Sequence, residues 1–408
     1  MNELRTRPLS AQEWSVHKAF VAHAFLMDPD PGEPNSVRDL FPDGRFIGVA
    51  DGDRLLGGGG IQTRDMTMAG AGPRPVAAIS YVGVRPDSRG RGTLRALMRA
   101  QLDELHTQVA EPVAALWASM APIYGRFGYG LASRAATLTV TSPGAYRPGA
   151  PVGGTVSWLD EDEATPLLRE VYARVAPARV GWLTRDEPNW AWWLSESKRG
   201  SATRYRRAVH HNRDGRADGY AVFRSKPNWP ATGPDYALAI DELVAATPEA
   251  HATLWREFLD LDLVTSVSNR IAALDDPVTS LLVNPRGVLT DVRDGLWVRL
   301  VDLDRALAQR RYAAPCELVL EVSDPFCPWN AGRWRLRVDD SGVGSLGTTT
   351  ADPDLSCDIT DLGAAYLGGT RLTSLAAAGR VREHRAGAVL AASRAFAGDS
   401  EPFCPEVF

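Results

Sequence analysis

The sequence contains few residues of the kinds that bind metal ions or form disulfides. Its four cysteines, Cys316, Cys327, Cys357 and Cys404, all lie in the last quarter of the 408 residues, and no two form a C-x-x-C pair. The seven histidines are scattered, and none belongs to an H-E-x-x-H motif. Because metal sites need ligands clustered at set spacings, we predict reduced, semi-buried thiols and no metal site.

Long apolar runs are also missing. No stretch reaches roughly 18 apolar residues, the length that a membrane-spanning helix needs. The first residues, Met1 to Arg5, lack the apolar core of a signal peptide. The formal net charge of −5 disfavours nonspecific binding to nucleic acids and mildly favours a cationic partner. We therefore predict a cytoplasmic protein with no membrane span and no nucleic-acid partner.

The sequence does contain enough apolar residues for several domains. Hydrophobic residues make up 44% of the chain and charged residues 23%, as in ordinary globular proteins. A chain of 408 residues is long enough for about two to four domains. The Pro- and Gly-rich segment from Ser142 to Pro151 is typical of a linker, and an apolar strand at Leu296 opens a further region. We predict domains at residues 1–146, 147–292 and 293–408.

The first region alternates predicted strands and helices, which favours an α/β (α+β) domain. Gly83, within one predicted strand, favours a β-bulge that frees backbone groups for a ligand. The predicted elements are a helix after the capping box Ser10-Ala11-Gln12-Glu13, a hairpin around Asp51-Gly52-Asp53, strands at 76–84, 112–118 and 136–140, and a helix at 94–109.

The segment from Arg89 to Arg95 carries the strongest chemical signal. An apolar strand ends just before this Arg- and Gly-rich loop, and an amphipathic helix follows it. Backbone N–H groups and guanidinium groups at a helix N-terminus bind anions. A Walker loop would need a lysine here, and Gly90 and Gly92 lack the third glycine of a dinucleotide fingerprint. The loop predicts a pyrophosphate site, with a basic helix start on a solvated surface as the alternative.

Two motifs together resemble a known superfamily. R-x-x-G-x-L, at Arg89, Gly92 and Leu94, resembles the coenzyme A loop of the GNAT acyltransferases, although Gly or Ala usually stands where Leu94 is. Ile123-Tyr124-Gly125-Arg126-Phe127-Gly128-Tyr129 resembles their aromatic segment one strand later. This string, the chain length, W-V-R-L-V-D from Trp297 and the terminal Phe408 resemble the Eis (enhanced intracellular survival) acetyltransferases.

The resemblance implies two GNAT-like domains followed by a sterol-carrier-like domain, and assembly as a homo-hexamer. The predicted boundaries fit this order. The middle region has a strand–turn–strand at 204–223, a strand at 237–245 and a helix capped by Thr247, which favours a duplicated fold. Thr165 and Pro166 predict another helix start there. The region lacks the Arg/Gly loop, so a second GNAT-like copy would have lost the coenzyme site.

The resemblance also implies an acetyl-CoA-dependent N-acetyltransferase and a role for individual residues. Tyr124 would be the general acid and the C-terminal carboxylate of Phe408 the base. Gly90 departs from relatives that often carry another Arg there. The implied contacts with acetyl-CoA are the backbone of Val82, Gly83 and Val84 for the pantetheine arm, Arg89, Gly90, Arg91, Gly92, Thr93, Leu94 and Arg95 for the pyrophosphate, and Ser119 and Met120 for the acyl end.

The implied acceptors are primary amines of polycationic small molecules such as aminoglycosides, with protein lysines as an alternative. Trp117 occupies a pocket position where relatives often have His. Phe25 and the acidic residues that begin at Asp28 could bind a cationic amine, and a solvated acidic loop is the alternative. Trp190, Trp192 and Trp193 could form a cage for a cation, although packing between domains is the preferred interpretation.

Elementary chemistry limits what the last residue can do. A main-chain carboxylate, with a reference pKa of roughly 3.5, is a weak base for an ammonium with a pKa near ~10. It can act through water or by electrostatic stabilisation. Phe403, Val407 and Phe408 could anchor the tail, and a frayed terminus is the alternative.

Two other functions stay open on the sequence. One is a different acyl class, such as a long-chain acyltransferase with tandem GNAT-like domains. The other is a non-catalytic regulator that binds coenzyme A or an apolar ligand.

Overall fold

The computed structural model describes residues 4–27, 35–195 and 204–408. These residues form two seven-stranded sheets and one five-stranded sheet, with helices packed on them. The strands in chain order are β1 (Arg5–Pro8), β2 (Phe46–Asp51), β3 (Arg54–Met68), β4 (Gly72–Val84), β5 (Val113–Trp117), β6 (Gly130–Leu131), β7 (Arg134–Thr141), β8 (Thr155–Leu159), β9 (Arg206–His211), β10 (Ala217–Lys226), β11 (Tyr236–Ala245), β12 (Val264–Ala272), β13 (Val288–Asp294), β14 (Leu296–Leu300), β15 (Cys316–Ser323), β16 (Gly332–Val338), β17 (Gly344–Thr348), β18 (Leu355–Asp358) and β19 (Arg382–Glu383).

The helices confirm several predicted starts. Ser10 and Glu13 form the predicted capping box, and Thr247 caps its helix through its side chain. In chain order the helices are α1 (Ala11–Ala24), α2 (Thr93–Thr107), α3 (Ala121–Tyr124), α4 (Glu161–Val175), α5 (Glu187–Leu194), α6 (Pro248–Leu259), α7 (Val278–Leu281), α8 (Leu303–Ala308), α9 (Ile359–Ala365), α10 (Leu372–Ala377) and α11 (Ala388–Phe396).

One predicted helix start is wrong. Thr165 and Pro166 were expected to begin a helix, but α4 begins at Glu161 with Asp160 as the N-cap, and Pro166 lies inside it. Three acidic residues occupy the first turn, where they favour the positive end of the helix dipole. Pro166 lies in the second turn, where its missing N–H removes the hydrogen bond to the carbonyl of Asp162.

The first two sheets have the same architecture. Their orders are β1-β2-β3-β4-β5-β14-β6 and, reversed, β8-β9-β10-β11-β12-β7-β13. In each sheet the fourth and fifth strands are parallel, joined by a helix (α2 or α6), and the other neighbours are antiparallel. This correspondence agrees with the predicted duplication.

The two sheets exchange one strand. β7 follows the first sheet in sequence but pairs with β12 and β13, and β14 returns from the second sheet to lie between β5 and β6. The segments just before β7 and β14 lie close together. A Cβ on Gly295 would lie 2.8 Å from the Ser133 hydroxyl. The strand predicted at 136–140 therefore exists but belongs to the second sheet. The predicted boundaries at 146 and 292 remain predictions.

The third sheet has the order β17-β16-β15-β18-β19. It packs against the first sheet through one large apolar cluster, which we call the shared core. The shared core joins residues of the first sheet such as Met66 and Leu296 to residues of the third domain such as Leu320 and Tyr366. The mixed α/β fold class is confirmed, and the three sheets follow the predicted order of two similar domains and a third.

The predicted thiols are present as free cysteines. Cys327, Cys357 and Cys404 are buried and Cys316 is partly buried. Burial raises the pKa of Cys316 and Cys327 to about 11, so both are protonated at neutral pH. Within residues 4–27, 35–195 and 204–408, no three His, Cys, Asp or Glu side chains are placed to hold a metal ion. No helix in these ranges is long and apolar enough to cross a membrane.

Candidate active site

A β-bulge interrupts β4 at Tyr81 and Val82. Gly58 pairs with Gly83 and Gly60 with Ser80, so two residues of β4 face only Gly59. Tyr81 has φ +53°, a left-handed conformation that few residues other than glycine adopt. The predicted bulge is therefore present, and its extra residue precedes Gly83 rather than being Gly83 itself.

A buried histidine fixes this bulge. Nε2 of His17 lies 2.9 Å from the carbonyl oxygen of Tyr81. Burial lowers the pKa of His17 to about 4, so the ring is neutral at pH 7 and Nε2–H donates to the carbonyl. A Cβ on Gly58 would lie 3.0 Å from this ring, and one on Gly60 would lie 2.3 Å from the Phe41 ring. The glycines of β3 thus permit close packing beneath the bulge.

The parallel strands β4 and β5 separate just before the bulge. Their pairing covers only Ala77 with Ala114 and Ala78 with Ala115. Beyond Ala78, the edge of β4 that carries Val82 has no pairing with β5 among the described residues. A fork opens there between the two strands. Backbone groups along such an edge can bind an extended polar chain.

The loop after β4 has the geometry of an anion site. Gly90 and Gly92 have φ of +76° and +86°, and a Cβ added to either would meet no atom within 4 Å. Gly92 is the N-cap residue of α2 and has no side chain that could accept from the first N–H groups of the helix. The helix N-terminus therefore faces open space. The buried hydroxyl of Thr93 has no hydrogen-bond partner among the described residues. These features fit a bound pyrophosphate.

The arginines of this loop differ in their partners. Arg89 and Arg95 are exposed and make no ion pair with a described residue, whereas Arg91 pairs with Asp51 at 2.7 Å. The Arg95 guanidinium lies 5.5 Å from the centre of the Phe326 ring, which belongs to the third domain. Leu94 departs from the usual motif and packs against the apolar cluster that contains Tyr124.

Tyr124 is the last residue of α3, and its side chain is buried. Burial raises the pKa of Tyr124, and a hydrogen bond with the Ser119 side chain opposes that rise. The phenol is therefore protonated at neutral pH and has a proton to donate. Ser119 and Met120 are both exposed, and Met120 contributes no apolar core contact.

Trp117 and Phe408 lie on the other face of the first sheet. Leu116 packs in the cluster of Tyr124, whereas its neighbour Trp117 packs against the shared core, as alternation along a strand requires. Phe408 is half-buried and packs against the same shared core. The buried Nε1 of Trp117 has no partner among the described residues, and the Arg293 guanidinium lies 6.0 Å from its ring centre.

The C-terminal tail is held in place rather than frayed. Phe403 packs on Trp182 with ring centres 5.6 Å apart, and its N–H donates to the carbonyl of Val180. Glu406 is buried and accepts hydrogen bonds at 2.6 Å from Arg64 and Arg185.

Two of the three tryptophans lie around a cation of the chain itself. The Arg185 guanidinium lies 4.9 Å from the ring centre of Trp190 and 4.5 Å from that of Trp193. Trp192 instead packs against apolar residues beneath the first sheet, including Phe41. These contacts agree with packing between domains, the preferred interpretation.

Two other residues were predicted to bind the acceptor amine, Phe25 and Asp28. Phe25 follows α1 and is 48% exposed. Asp28 lies outside the described residues. The residues that sequence reasoning missed are Arg64, Arg185 and Glu242, which surround Glu406. Their only sequence signal is Glu406 itself, a charged residue between Pro405 and Val407 in a largely apolar tail.

Three domain families match this chain in the order that the fold shows. Residues 5–132 and 181–300 match acetyltransferase (GNAT) domains, and residues 303–405 match a sterol carrier protein domain. N-acetyltransferase Eis of Mycobacterium tuberculosis is 34% identical over 95% of each chain. The chain belongs to the Eis family of N-acetyltransferases. An uncharacterized N-acetyltransferase of Streptomyces avermitilis is 38% identical over 98% of this chain and 99% of its own.

Solved structures of similar proteins agree with this Eis-family fold. Eis1 from Mycobacterium abscessus superposes with a TM-score of 0.86 at 32% identity, over 99% of this chain and all of that one. A GCN5-related N-acetyltransferase from Kribbella flavida superposes with a TM-score of 0.80 at 25% identity, over 100% of this chain and 99% of its own. The chain is thus an acetyltransferase, and its fold implies the use of acetyl-CoA.

Proposed function

We propose that this Eis-family enzyme transfers the acetyl group of acetyl-CoA to primary amines of polycationic small molecules such as aminoglycosides. The fork between β4 and β5 carries the proposal. The predicted donor loop lies beyond one end of it, Tyr124 packs on one face of the sheet, and Trp117 and Phe408 pack on the other. A thioester threaded through the fork would connect the two faces.

The donor would be held mainly by backbone and guanidinium groups. The edge of β4 at Val82, Gly83 and Val84 would bind the pantetheine arm, because no strand pairs with it there. The pyrophosphate would lie in the loop 89–95, with Arg89, Arg95 and the Thr93 hydroxyl as contacts. Ser119 and Met120 would border the acyl end. Arg91 would first have to leave Asp51 in order to contribute.

Tyr124 would act as the general acid. When the amine attacks the thioester carbonyl, the C–N bond forms and the C–S bond breaks, and the departing thiolate needs a proton. A thiol has a reference pKa near ~8.5, below that of a phenol near ~10. Since burial raises the pKa of Tyr124 further, its hydrogen bond to the sulfur would become a full proton transfer only late in the reaction.

The terminal carboxylate of Phe408 would act on the amine. An ammonium has no lone pair, so the acceptor must lose a proton before it attacks. A carboxylate is too weak a base to remove that proton alone. It would attract the cationic acceptor and pass the proton to water. Phe25, Asp28 and Trp117 would contribute to acceptor binding. A homo-hexamer remains a prediction from the resemblance, and a cytoplasmic location remains a prediction from the sequence.

A thiol-release assay tests the proposal. Acetyl-CoA is incubated with aminoglycosides, polyamines and lysine peptides in turn, and free coenzyme A is measured. Aminoglycosides should support the fastest turnover. A preference for lysine peptides would redirect the proposal to protein acetylation, and faster release from long-chain thioesters would change the donor. No release with any amine, despite coenzyme binding, would contradict it and favour a regulator.

A further inference from the structure

Glu406 joins two domains through one buried carboxylate. It lies two residues before the end of the chain and is 6% exposed. Its Oε1 accepts a hydrogen bond from Nη2 of Arg64, in β3, and its Oε2 accepts one from Nε of Arg185, each at 2.6 Å. Arg64 belongs to the first sheet, whereas Arg185 precedes α5 beside the second. Glu406 thus attaches the C-terminal tail to the first sheet and to the segment beside the second sheet.

Both arginines are themselves held rigidly. Arg64 donates to Oδ1 of Asn189 at 2.6 Å. Arg185 donates to Oε1 of Glu242 at 2.6 Å, and its guanidinium lies 4.1 Å from the ring centre of Tyr172. Fixed partners of this kind restrict the Glu406 carboxylate to one position.

The charges in this cluster balance. Two arginines face two glutamates, and all four side chains are at most 5% exposed. Without Glu406, the charge of Arg64 would be buried with no carboxylate partner in the cluster. Since uncompensated buried charge is strongly unfavourable, the tail stays docked whenever the protein is folded.

The cluster lies beside the fork. Nη1 of Arg64 contacts Oε1 of Gln62 at 3.4 Å. Gln62 pairs with Ala78, the last residue of β4 that pairs with β5. Two residues of extended chain span at most about 7 Å. Phe408 therefore lies within about 7 Å of Glu406, near the face of the first sheet that carries Arg64 and Gln62.

We propose that Glu406 is a positioning residue, which aims the terminal carboxylate at the acceptor amine by fixing the chain two residues earlier. This inference rests on the proposed role of the Phe408 carboxylate. Val407 is 47% exposed, so the final dipeptide is held by the Glu406 ion pairs before it and by the packing of Phe408 against the shared core. A misplacement of about 1 Å at a reacting group can cost on the order of a hundredfold in rate.

The test compares Glu406→Gln, Glu406→Asp and wild-type enzyme, using the best amine from the acceptor panel. Both variants should lower kcat at least about tenfold, and the KM for acetyl-CoA and the rise in unfolding temperature with acetyl-CoA should stay unchanged. Glu406→Asp keeps the charge but is one methylene shorter. If Glu406→Gln does not fold, the Asp variant decides.

Glu111→Gln is the matched control. Glu111 is 4% exposed and pairs with Arg45 at 2.6 Å beside the same sheet, but it does not contact the tail. It should retain wild-type kcat.

A C-terminally extended enzyme separates the two hypotheses. If the extended enzyme is inactive and folded Glu406 variants keep wild-type kcat, the positioning role is wrong. If the extended enzyme is fully active, the role of the Phe408 carboxylate is wrong, and Glu406 has nothing to position.

Discussion

The two seven-stranded sheets share strand order and direction but differ where a coenzyme would bind. In the first sheet, α2 follows a glycine-containing loop, and the N-terminus of this helix faces open space. In the second, α6 begins at Pro248, and Thr247 accepts from the N–H of Ala250 while donating to Asp218. The second helix start thus offers fewer donors to a pyrophosphate, because Pro248 has no N–H and the N–H of Ala250 already donates to Thr247.

Each of the two sheets has a β-bulge in its fourth strand. β11 has a bulge at Asp241, in the position that Tyr81 and Val82 occupy in β4. The first bulge borders the proposed coenzyme channel. The second precedes Glu242, which binds Arg185 and through it Glu406. One architecture can therefore serve either ligand binding or the docking of the chain's own tail, depending on a few side chains.

The largest expected effect comes from moving the terminal carboxylate. A C-terminal tag displaces it from the fork, so acetyl transfer should fall at least about a hundredfold. Steady-state thiol release measures this. A tag at the N-terminus is the control, and equal activity of the two tagged enzymes would contradict the role of Phe408.

Gly92→Glu tests whether only the first sheet binds coenzyme. A side chain is strained at φ +86°, and its carboxylate would repel a pyrophosphate. The variant should lose the rise in unfolding temperature that acetyl-CoA produces. Ala246→Glu, one residue before the N-cap of α6 in the second sheet, should keep the full rise. A loss in both variants would mean that the second domain also binds the coenzyme.

Tyr124→Phe tests the general acid. Removing proton donation should lower kcat by about a hundredfold, the lower end of the range for general acid catalysis. The apparent affinity for acetyl-CoA should hardly change, because the ring still fills its site. Tyr129→Phe is the control, since its buried hydroxyl has no hydrogen-bond partner among the described residues. Equal kcat for the Tyr124 variant and wild type would exclude the role.

Acid should destabilise the fold at the first bulge, which is a change in stability rather than in activity. The pKa of His17 is lowered from 6.5 to about 4, so the unfolded chain binds the extra proton between these values. Stability should fall by about 3 kcal/mol as pH drops from 6.5 to 4. His17→Gln, which can still donate to Tyr81, should weaken this dependence in urea unfolding. His23→Gln, at an exposed site, should not. Identical pH profiles for wild type and His17→Gln would contradict the prediction.

Local patterns in the sequence predicted much of the site. The helix start at Gly92, the bulge near Gly83 and the aromatic segment around Tyr124 depend on neighbouring residues, so short motifs reveal them. The buried arginine–glutamate cluster was not predictable, because Arg64 and Glu406 are 342 positions apart. Charged residues are also mostly exposed, so no composition rule marks these as buried.

By itself, the sequence determined the secondary structure around the donor loop, the duplicated order of elements and the family. The secondary structure and the order of elements follow from residue spacing and turn chemistry, which act over a few residues, whereas the family was indicated by the resemblance of short motifs. Only the tertiary structure decided that β7 and β14 exchange sheets and that the tail docks beside the fork. Both depend on pairing between distant segments, since strand edges and buried charges are satisfied by whichever partner the whole fold brings near.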